Sequence, residues 1–260
     1  MMHMSPNTLY YKCVDWKAKD APILKEIEKF LELLPASGVP SVTSHLKKTM
    51  VINKKRVERI MKANGLINTK KRSKKAKTTN SEHKFHKYED LIKGVTTTNM
   101  NQIIVGDVTA YDIKGNNHYL ALLMDLHTRE IVGAAISDKN DTNLVLGALD
   151  ASKKKRKNLR GCIHHTDADV RYCSDKYVQR LMDYGMKISM CVGNAYENAH
   201  AESLNKTIKA GEINLSDYES KEESGDSIFG FVNKYNTIRP HSALNGMSPA
   251  DFASSLRKKI

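Results

Sequence analysis

The chain has 260 residues, of which 40% are hydrophobic and 27% charged, ordinary globular usage that excludes a collagen, a low-complexity tail or a chain disordered throughout. Forty-two Lys+Arg against 29 Asp+Glu give a formal net charge of +13. No apolar run approaches the ~18 residues of a membrane helix, and the polar start, Met1 to Cys13, is no signal peptide, so a soluble cytoplasmic protein with no membrane partner is expected.

In chain order, residues 21–34 predict an amphipathic helix, with Ile23, Ile27 and Phe30 or Leu31 on one face and Pro22 in its first turn. Pro35 and the stretch Gly38 to Pro40 break it. A second helix is predicted over Val42 to Met50 and a third over Asn53 to Asn64, which Asn53 can cap and Gly65 can end. In the third, Val57, Ile60 and Met61 form the buried stripe, leaving Lys54, Lys55, Arg56 and Arg59 outside. Residues 1–67 therefore read as a small all-α module, either DNA-binding or an ordinary bundle with a basic face.

Residues 70–77 place six cations in eight positions, among them Lys70, Lys71, Arg72, Lys74 and Lys75. No apolar period follows until Leu91, so 68–100 reads as a basic linker able to contact phosphates without reading sequence. The charge divides accordingly: residues 1–100 hold 21 basic and 9 acidic side chains, residues 101–260 hold 21 and 20. That asymmetry indicates two modules, the first facing a polyanion, for which nucleic acid is the best candidate. His83 and His86 lack a cysteine pair at zinc-finger spacing and read as linker surface. Cys13, Cys162, Cys173 and Cys191 contain no Cys-x-x-Cys, so they read as reduced thiols.

From Asn101 the pattern changes. Strands are predicted over Ile103–Ile113, His118–Asp125 and Glu130–Ser137, the first two joined by the hairpin turn Lys114-Gly115-Asn116-Asn117. A helix over Thr142–Lys153, a strand over Gly161–His165, a helix capped by Ser174 with Tyr177, Val178, Leu181 and Met182 inward, and a strand over Lys187–Val192 follow. A long helix runs from Ala195 to Ala210, and a last one carries Ile228, Phe231, Val232 and Tyr235 before Pro240. Residues 101–260 thus form a mixed α/β sheet: a three-strand meander plus parallel strands, flanked by helices. Neither a Gly-x-Gly-x-x-Gly nor a Walker segment nor a Gly-x-Ser-x-Gly elbow is present, which removes nucleotide-cofactor and serine-hydrolase chemistry.

Three acidic residues stand out by position. Asp107 interrupts an apolar strand, Asp167 follows Cys162-Ile163-His164-His165-Thr166 at a strand's carboxyl end, and Glu202 sits in a helix 35 residues later. Each alone has an ordinary explanation, as do His164 and His165, which suit packing and hydrogen bonding better than metal ligation. Together they make a hard-oxygen site for two divalent cations, Mg²⁺ with Mn²⁺ able to substitute, about 4 Å apart at a phosphodiester.

These residues lie in a string of motifs: Gly106-Asp107-Val108-Thr109, His165-Thr166-Asp167, Ser189-Met190, Gly193 through Glu202, and Lys209 seven residues on. Tyr235-Asn236, Arg239-Pro240-His241-Ser242-Ala243-Leu244 and Ser248-Pro249 follow. In order and spacing the stretch Asn101 to Phe252 resembles the catalytic core of OrfB-type insertion-sequence transposases, relatives of retroviral integrases. Residues 53–66 and Ser5 to Tyr11 resemble segments upstream of that core. Among the departures, Asp169 and Arg171 stand where glycine and glutamine are usual, the added acid beside a cation that can offset it.

The resemblance implies a ribonuclease H-like fold in which Asp107, Asp167 and Glu202 hold the metal ions. It implies a DNA transposase or integrase that cleaves a phosphodiester at the element end and joins the exposed 3′-OH to target DNA. The alternatives are a nuclease of this fold that only hydrolyses and a non-catalytic, DNA-binding remnant. Lys206 and Lys209 share the helix face of Glu202 and are expected to meet DNA; Arg239 and His241 are weaker candidates. Partners implied are element-end and target DNA, further copies of the chain on that DNA, and an upstream helix–turn–helix reading-frame product that supplies end recognition. The expected setting is the bacterial cytoplasm, on the nucleoid.

Overall fold

A computed structural model describes residues 16–67, 83–191 and 199–257. Its packing separates a unit over 1–69 from a unit over 70–260.

In the first unit, α1 (Trp16–Leu33), α2 (Val39–Leu46) and α3 (Lys54–Ala63) surround a core that includes Ile27, Phe30, Val42, Leu46, Val57 and Met61. Helix α3 is built as its sequence indicates. The Asn53 side chain accepts from the Arg56 amide at 2.8 Å, and Gly65 takes a left-handed φ of 68° beyond its end. The other two differ from expectation. Helix α1 begins five residues earlier, with Pro22 inside it, because buried Asp20 pairs with Arg56 (3.0 Å) and Arg59 (2.6 Å). Those contacts, with Arg59 over the Trp16 ring, stabilise turns that a proline alone would weaken. Helix α2 begins at Val39 because Pro40 falls in its first turn, where a missing N–H costs nothing. It ends at Leu46. Arg56 and Arg59 are therefore engaged with Asp20; Arg56 is half-buried, while Arg59 stays exposed along with Lys54, Lys55 and Lys62.

The second unit is built on five strands: β1 (Ile103–Ile113), β2 (Asn116–Asp125), β3 (Ile131–Ser137), β4 (Ile163–Asp167) and β5 (Lys187–Cys191). Their order is β3-β2-β1-β4-β5. The meander β1–β2–β3 is antiparallel, while β1, β4 and β5 run parallel. The hairpin is tighter than expected: Lys114 and Gly115 alone form the turn, at φ 51° and 83°, and pairing resumes at Ile113↔Asn116. Positive φ at both turn residues matches the twist of paired strands, so β2 starts two residues early.

Helix α4 (Thr142–Arg156) packs on β2 and β3. It runs one turn past Lys153 because Arg156 is drawn inside by Glu130 at 2.7 Å and Asp125 at 3.7 Å. After β4 come α5 (Val170–Cys173) and α6 (Asp175–Asp183). Ser174 holds the cap position of α6, but its hydroxyl donates backward to the Arg171 carbonyl at 2.8 Å. Tyr177 and Leu181 are buried as expected, Val178 is half-buried, and Met182 points to solvent at 55% exposure. Strand β4 extends to Asp167, two residues past expectation, because Thr166 and Asp167 pair with Met190 and Cys191 of β5. The last helices are α7 (Ala199–Gly211), α8 (Lys221–Thr237) and α9 (Pro249–Arg257). The sequence reading took Ser248-Pro249 as a motif only. There the Ser248 hydroxyl accepts the Asp251 amide at 3.2 Å and starts α9.

Ile104, Val108, Leu123, Leu149, Tyr177 and Met190 belong to the core between sheet and helices. Residues 83–100 contain no helix or strand but are tied to this unit. Leu91 N donates to Ser189 Oγ at 2.8 Å, Met190 N to the Glu89 carbonyl at 3.3 Å, and the His83 ring meets the Ala168 carbonyl at 2.9 Å. His83 is thus half-buried beside the core rather than free linker surface. Cys162, Cys173 and Cys191 are buried free thiols; Cys13 lies outside the described residues. Among the described residues no helix is long and apolar enough to cross a membrane.

Candidate active site

Asp107 and Asp167 sit on neighbouring parallel strands. Val105 pairs with His165, and each aspartate lies two residues beyond its member of that pair, so the two carboxylates stand at one level of the sheet. Glu202 arrives from α7, which packs across β1 and β2. From the same helix Asn205 donates to Asp107 Oδ2 at 2.8 Å, while Val108 N donates to Oδ1 at 2.8 Å.

The electrostatics are those of crowded acids. Burial raises the Asp107 pKa to about 7, and the negative charge of Asp167 adds to that rise, with a smaller push from Glu202. The two hydrogen bonds to Asp107 work in the opposite direction. Glu202 is about 40% exposed and meets Lys206 Nζ at 3.5 Å. Lys209 is half-buried on the same helix; burial lowers its pKa and the Asp107 charge draws it back up. Asp107 therefore feels both of the other predicted carboxylates. Among the described residues, however, no group of three His, Cys, Asp or Glu side chains is spaced to hold one metal ion together.

The two histidines before Asp167 serve the core. His164 Nδ1 meets the Ile104 carbonyl at 3.2 Å and its Nε2 the Tyr177 hydroxyl at 2.8 Å. Burial presses its pKa down to about 4, so the ring is neutral. His165 Nδ1 meets Ser189 Oγ at 2.9 Å. Asp169 is buried, caps α5 through the Arg171 amide at 3.0 Å and forms an ion pair with the Arg171 guanidinium. The acid and the cation that depart from the family pattern thus satisfy each other.

Arg239 and His241 lie elsewhere, around the buried ring of Tyr235. Arg239 stands 6.0 Å over that ring and His241 is edge-on to it at 5.1 Å. Lys70, Lys71, Arg72, Lys74 and Lys75 lie outside the described residues, as does the stretch 192–198 of the glutamate motif. Sequence reasoning missed Asn205, whose only signal is a position one helical turn after Glu202. It also missed Arg129 and His200, which come together at 2.9 Å although 71 residues separate them.

Comparison with known proteins places the chain in a family. Two models described as Integrase core domain match residues 97–194 and 184–249. The transposase for insertion sequence element IS904 of Lactococcus lactis subsp. lactis (strain IL1403) is 34% identical over 219 residues, spanning 83% of this chain and 86% of that protein. The transposase for insertion sequence element IS629 of Shigella sonnei is 28% identical over 96% of this chain and 88% of its own length. Among solved structures, that of the simian T-cell lymphotropic virus intasome in complex with PP2A regulatory subunit B56 gamma aligns with a TM-score of 0.51. It covers 87% of this chain and 74% of that one at 13% identity, a likeness of fold. The five-stranded mixed sheet with its covering helices is thus ribonuclease H-like, and the chain belongs to the insertion-sequence transposases that carry an integrase core, a family of polynucleotidyl transferases.

Proposed function

We propose that Asp107, Asp167 and Glu202 are the catalytic carboxylates of a Mg²⁺-dependent transposase that cleaves insertion-element ends and transfers their 3′-OH to target DNA. The observation that carries this reading is geometric: Asp107 and Asp167 stand level on neighbouring parallel strands, and α7, which carries Glu202, packs on β1 with Asn205 bonded to Asp107. Burial and the two nearby acids accordingly raise the Asp107 pKa to about 7. A fold gains nothing from placing three acids together unless a cation relieves them. An all-oxygen donor set of this kind fits Mg²⁺, with Mn²⁺ as a substitute. When bound, two such ions would stabilise the attacking and leaving oxygens of the phosphodiester.

The chain's own residues supply the rest. Val108 N and Asn205 hold the Asp107 carboxylate in one orientation. Lys206 and Lys209 place positive charge beside the acids, where DNA phosphates would pass, with Arg239 a further DNA contact. Lys70, Lys71, Arg72, Lys74 and Lys75 in the basic linker would grip the backbone, and the helical module over 1–67 would add DNA contacts of its own. Acting copies would assemble on DNA, with end recognition shared with an upstream helix–turn–helix product. The place of action would be the bacterial nucleoid.

Replacing Asp107, Asp167 or Glu202 singly by Ala should abolish Mg²⁺-dependent cleavage and joining of element-end duplexes while leaving DNA binding in place. Activity retained in any one variant removes that residue from the triad. Cleavage by the native chain without joining would favour the purely hydrolytic reading.

A further inference from the structure

A second polar cluster is centred on Tyr235, and of its members only Arg239 has a role in the reading above. Arg129 stands in the turn between β2 and β3, held at φ 59°, and its Nη1 donates to His200 Nδ1 at 2.9 Å. Arg239 follows α8 and lies over the buried Tyr235 ring, with His241 on that ring's edge. Both arginines act on Tyr235 and on His241, so the two guanidiniums share one neighbourhood.

That neighbourhood is short of negative charge. Both arginines are half-buried, and burial lowers both of their pKa values. Neither forms an ion pair among the described residues. Asp125, the carboxylate whose charge reaches Arg129, already accepts from the amides of Asn101 (2.6 Å), His127 (3.0 Å) and Thr128 (2.8 Å). It also faces Arg156 at 3.7 Å. A single ring contact under Arg239, worth roughly 0.5–1 kcal/mol at an exposed site, does not balance two like charges removed from water. Because Arg129 donates to His200 Nδ1, neutral His200 carries its proton on Nε2. The groups presented are donors: two planar forks and one ring N–H.

We propose that Arg129 and Arg239, with His200 and around Tyr235, form a subsite for one backbone phosphate of the DNA strand entering the active site. This deepens the transposase reading and rests on it. His200 opens α7, and Asn205, which bonds Asp107, lies five residues on. At 1.5 Å per residue that is about 7.5 Å along the helix. One helix thus carries both the contact to Asp107 and the contact to Arg129. The bidentate fork of arginine suits phosphate oxygens better than a lysine would.

The test is binding of a fluorescent DNA duplex of about 30 base pairs to the full-length chain, without divalent ions, across a salt series. Arg129→Gln and Arg239→Gln should each weaken binding several-fold and lower the log–log salt slope, by up to about 0.9 when combined, the contribution of one phosphate. Lys154→Gln, a change at an exposed position of α4, should leave the slope unchanged. Native slopes in both arginine variants overturn the proposal, as does lost stability with an unaltered slope, which marks a bracing role. Should a variant not fold, phenylglyoxal labelling of the native chain decides. Protection of both arginines by the duplex supports the subsite, and equal labelling with and without DNA refutes it. Cleavage of element-end DNA by the native chain is read alongside. A native chain that binds but never cleaves defeats the transposase reading and leaves the subsite standing; a cleaving chain with unchanged slopes does the reverse.

Discussion

At the scale of single residues, Asp107 and the neutral histidines pull stability in opposite directions with pH. The folded Asp107 pKa of about 7 lies above the 3.8 of an unperturbed aspartate. Its protonated form therefore stabilises the fold below pH 3.8, and that contribution is lost as pH rises through 7. His164 and His241 are pressed down to about 4 from the 6.5 of an unperturbed imidazole, in both cases chiefly by burial, with Arg239 and Arg129 adding to the effect on His241. Their contribution is present above pH 6.5 and lost as pH falls through 4. Asp107→Asn removes one arm of this balance. In EDTA above pH 7 the variant should be more stable by on the order of 1–3 kcal/mol, roughly 3–10 °C in Tm. With the histidines left unopposed, its Tm should fall more steeply than the native one from pH 7 to 4. Thermal melts across pH check both, and a variant less stable than native at pH 8 contradicts the crowded-acid account.

At the scale of elements, periodicity located the pieces and tertiary contacts set their ends. The 3.6-residue pattern found α3 with its Asn53 cap, and strand β1 matches its predicted span. Elsewhere an end moved where a partner far along the chain intervened: Asp20 with Arg56 for α1, Arg156 with Glu130 for α4, and β5 for the tip of β4. Local propensity carries no information about such partners. Helix α9 escaped because its Ser-Pro start lies inside a stretch read as a motif. Packing of α4 on β3 supplies a sharp test. A Cβ added at Gly133 would fall 2.1 Å from the Ala148 carbonyl oxygen, a backbone atom that cannot step aside. Gly133→Ala should therefore push α4 off the sheet and cost about 1–3 kcal/mol or more, read as a lower urea midpoint. An unchanged midpoint would mean that the helix and sheet have room that this packing denies.

At the scale of the whole molecule, the charge division fits the proposed function. The basic first hundred residues suit a DNA grip, and the nearly balanced remainder contains the acids of the proposed active site. Changing Lys70, Lys71, Arg72, Lys74 and Lys75 together to Gln should lower the salt slope of duplex binding by up to about 4.5. The thermal stability of the 70–260 unit should not change. A slope equal to native, measured by fluorescence anisotropy, would show that this basic run does not meet phosphates.

What the sequence by itself determined is local and chemical: the run of elements, the identity and order of the motif acids, and the basic skew that pointed to nucleic acid. Sequence spacing could propose Asp107, Asp167 and Glu202 as a set because strand ends and a helix turn recur at recognisable intervals. Only the tertiary structure decided which side chains face one another. The order β3-β2-β1-β4-β5 sets Asp107 level with Asp167 and lays α7 across β1 and β2, with Asn205 on Asp107. The same packing gathers Arg129, His200, Tyr235 and Arg239 from the β2–β3 turn and two helices. The reason is physical: hydrogen-bonded period and residue chemistry are properties of neighbours in the chain. Burial, charge crowding and a shifted pKa are properties of neighbours in space.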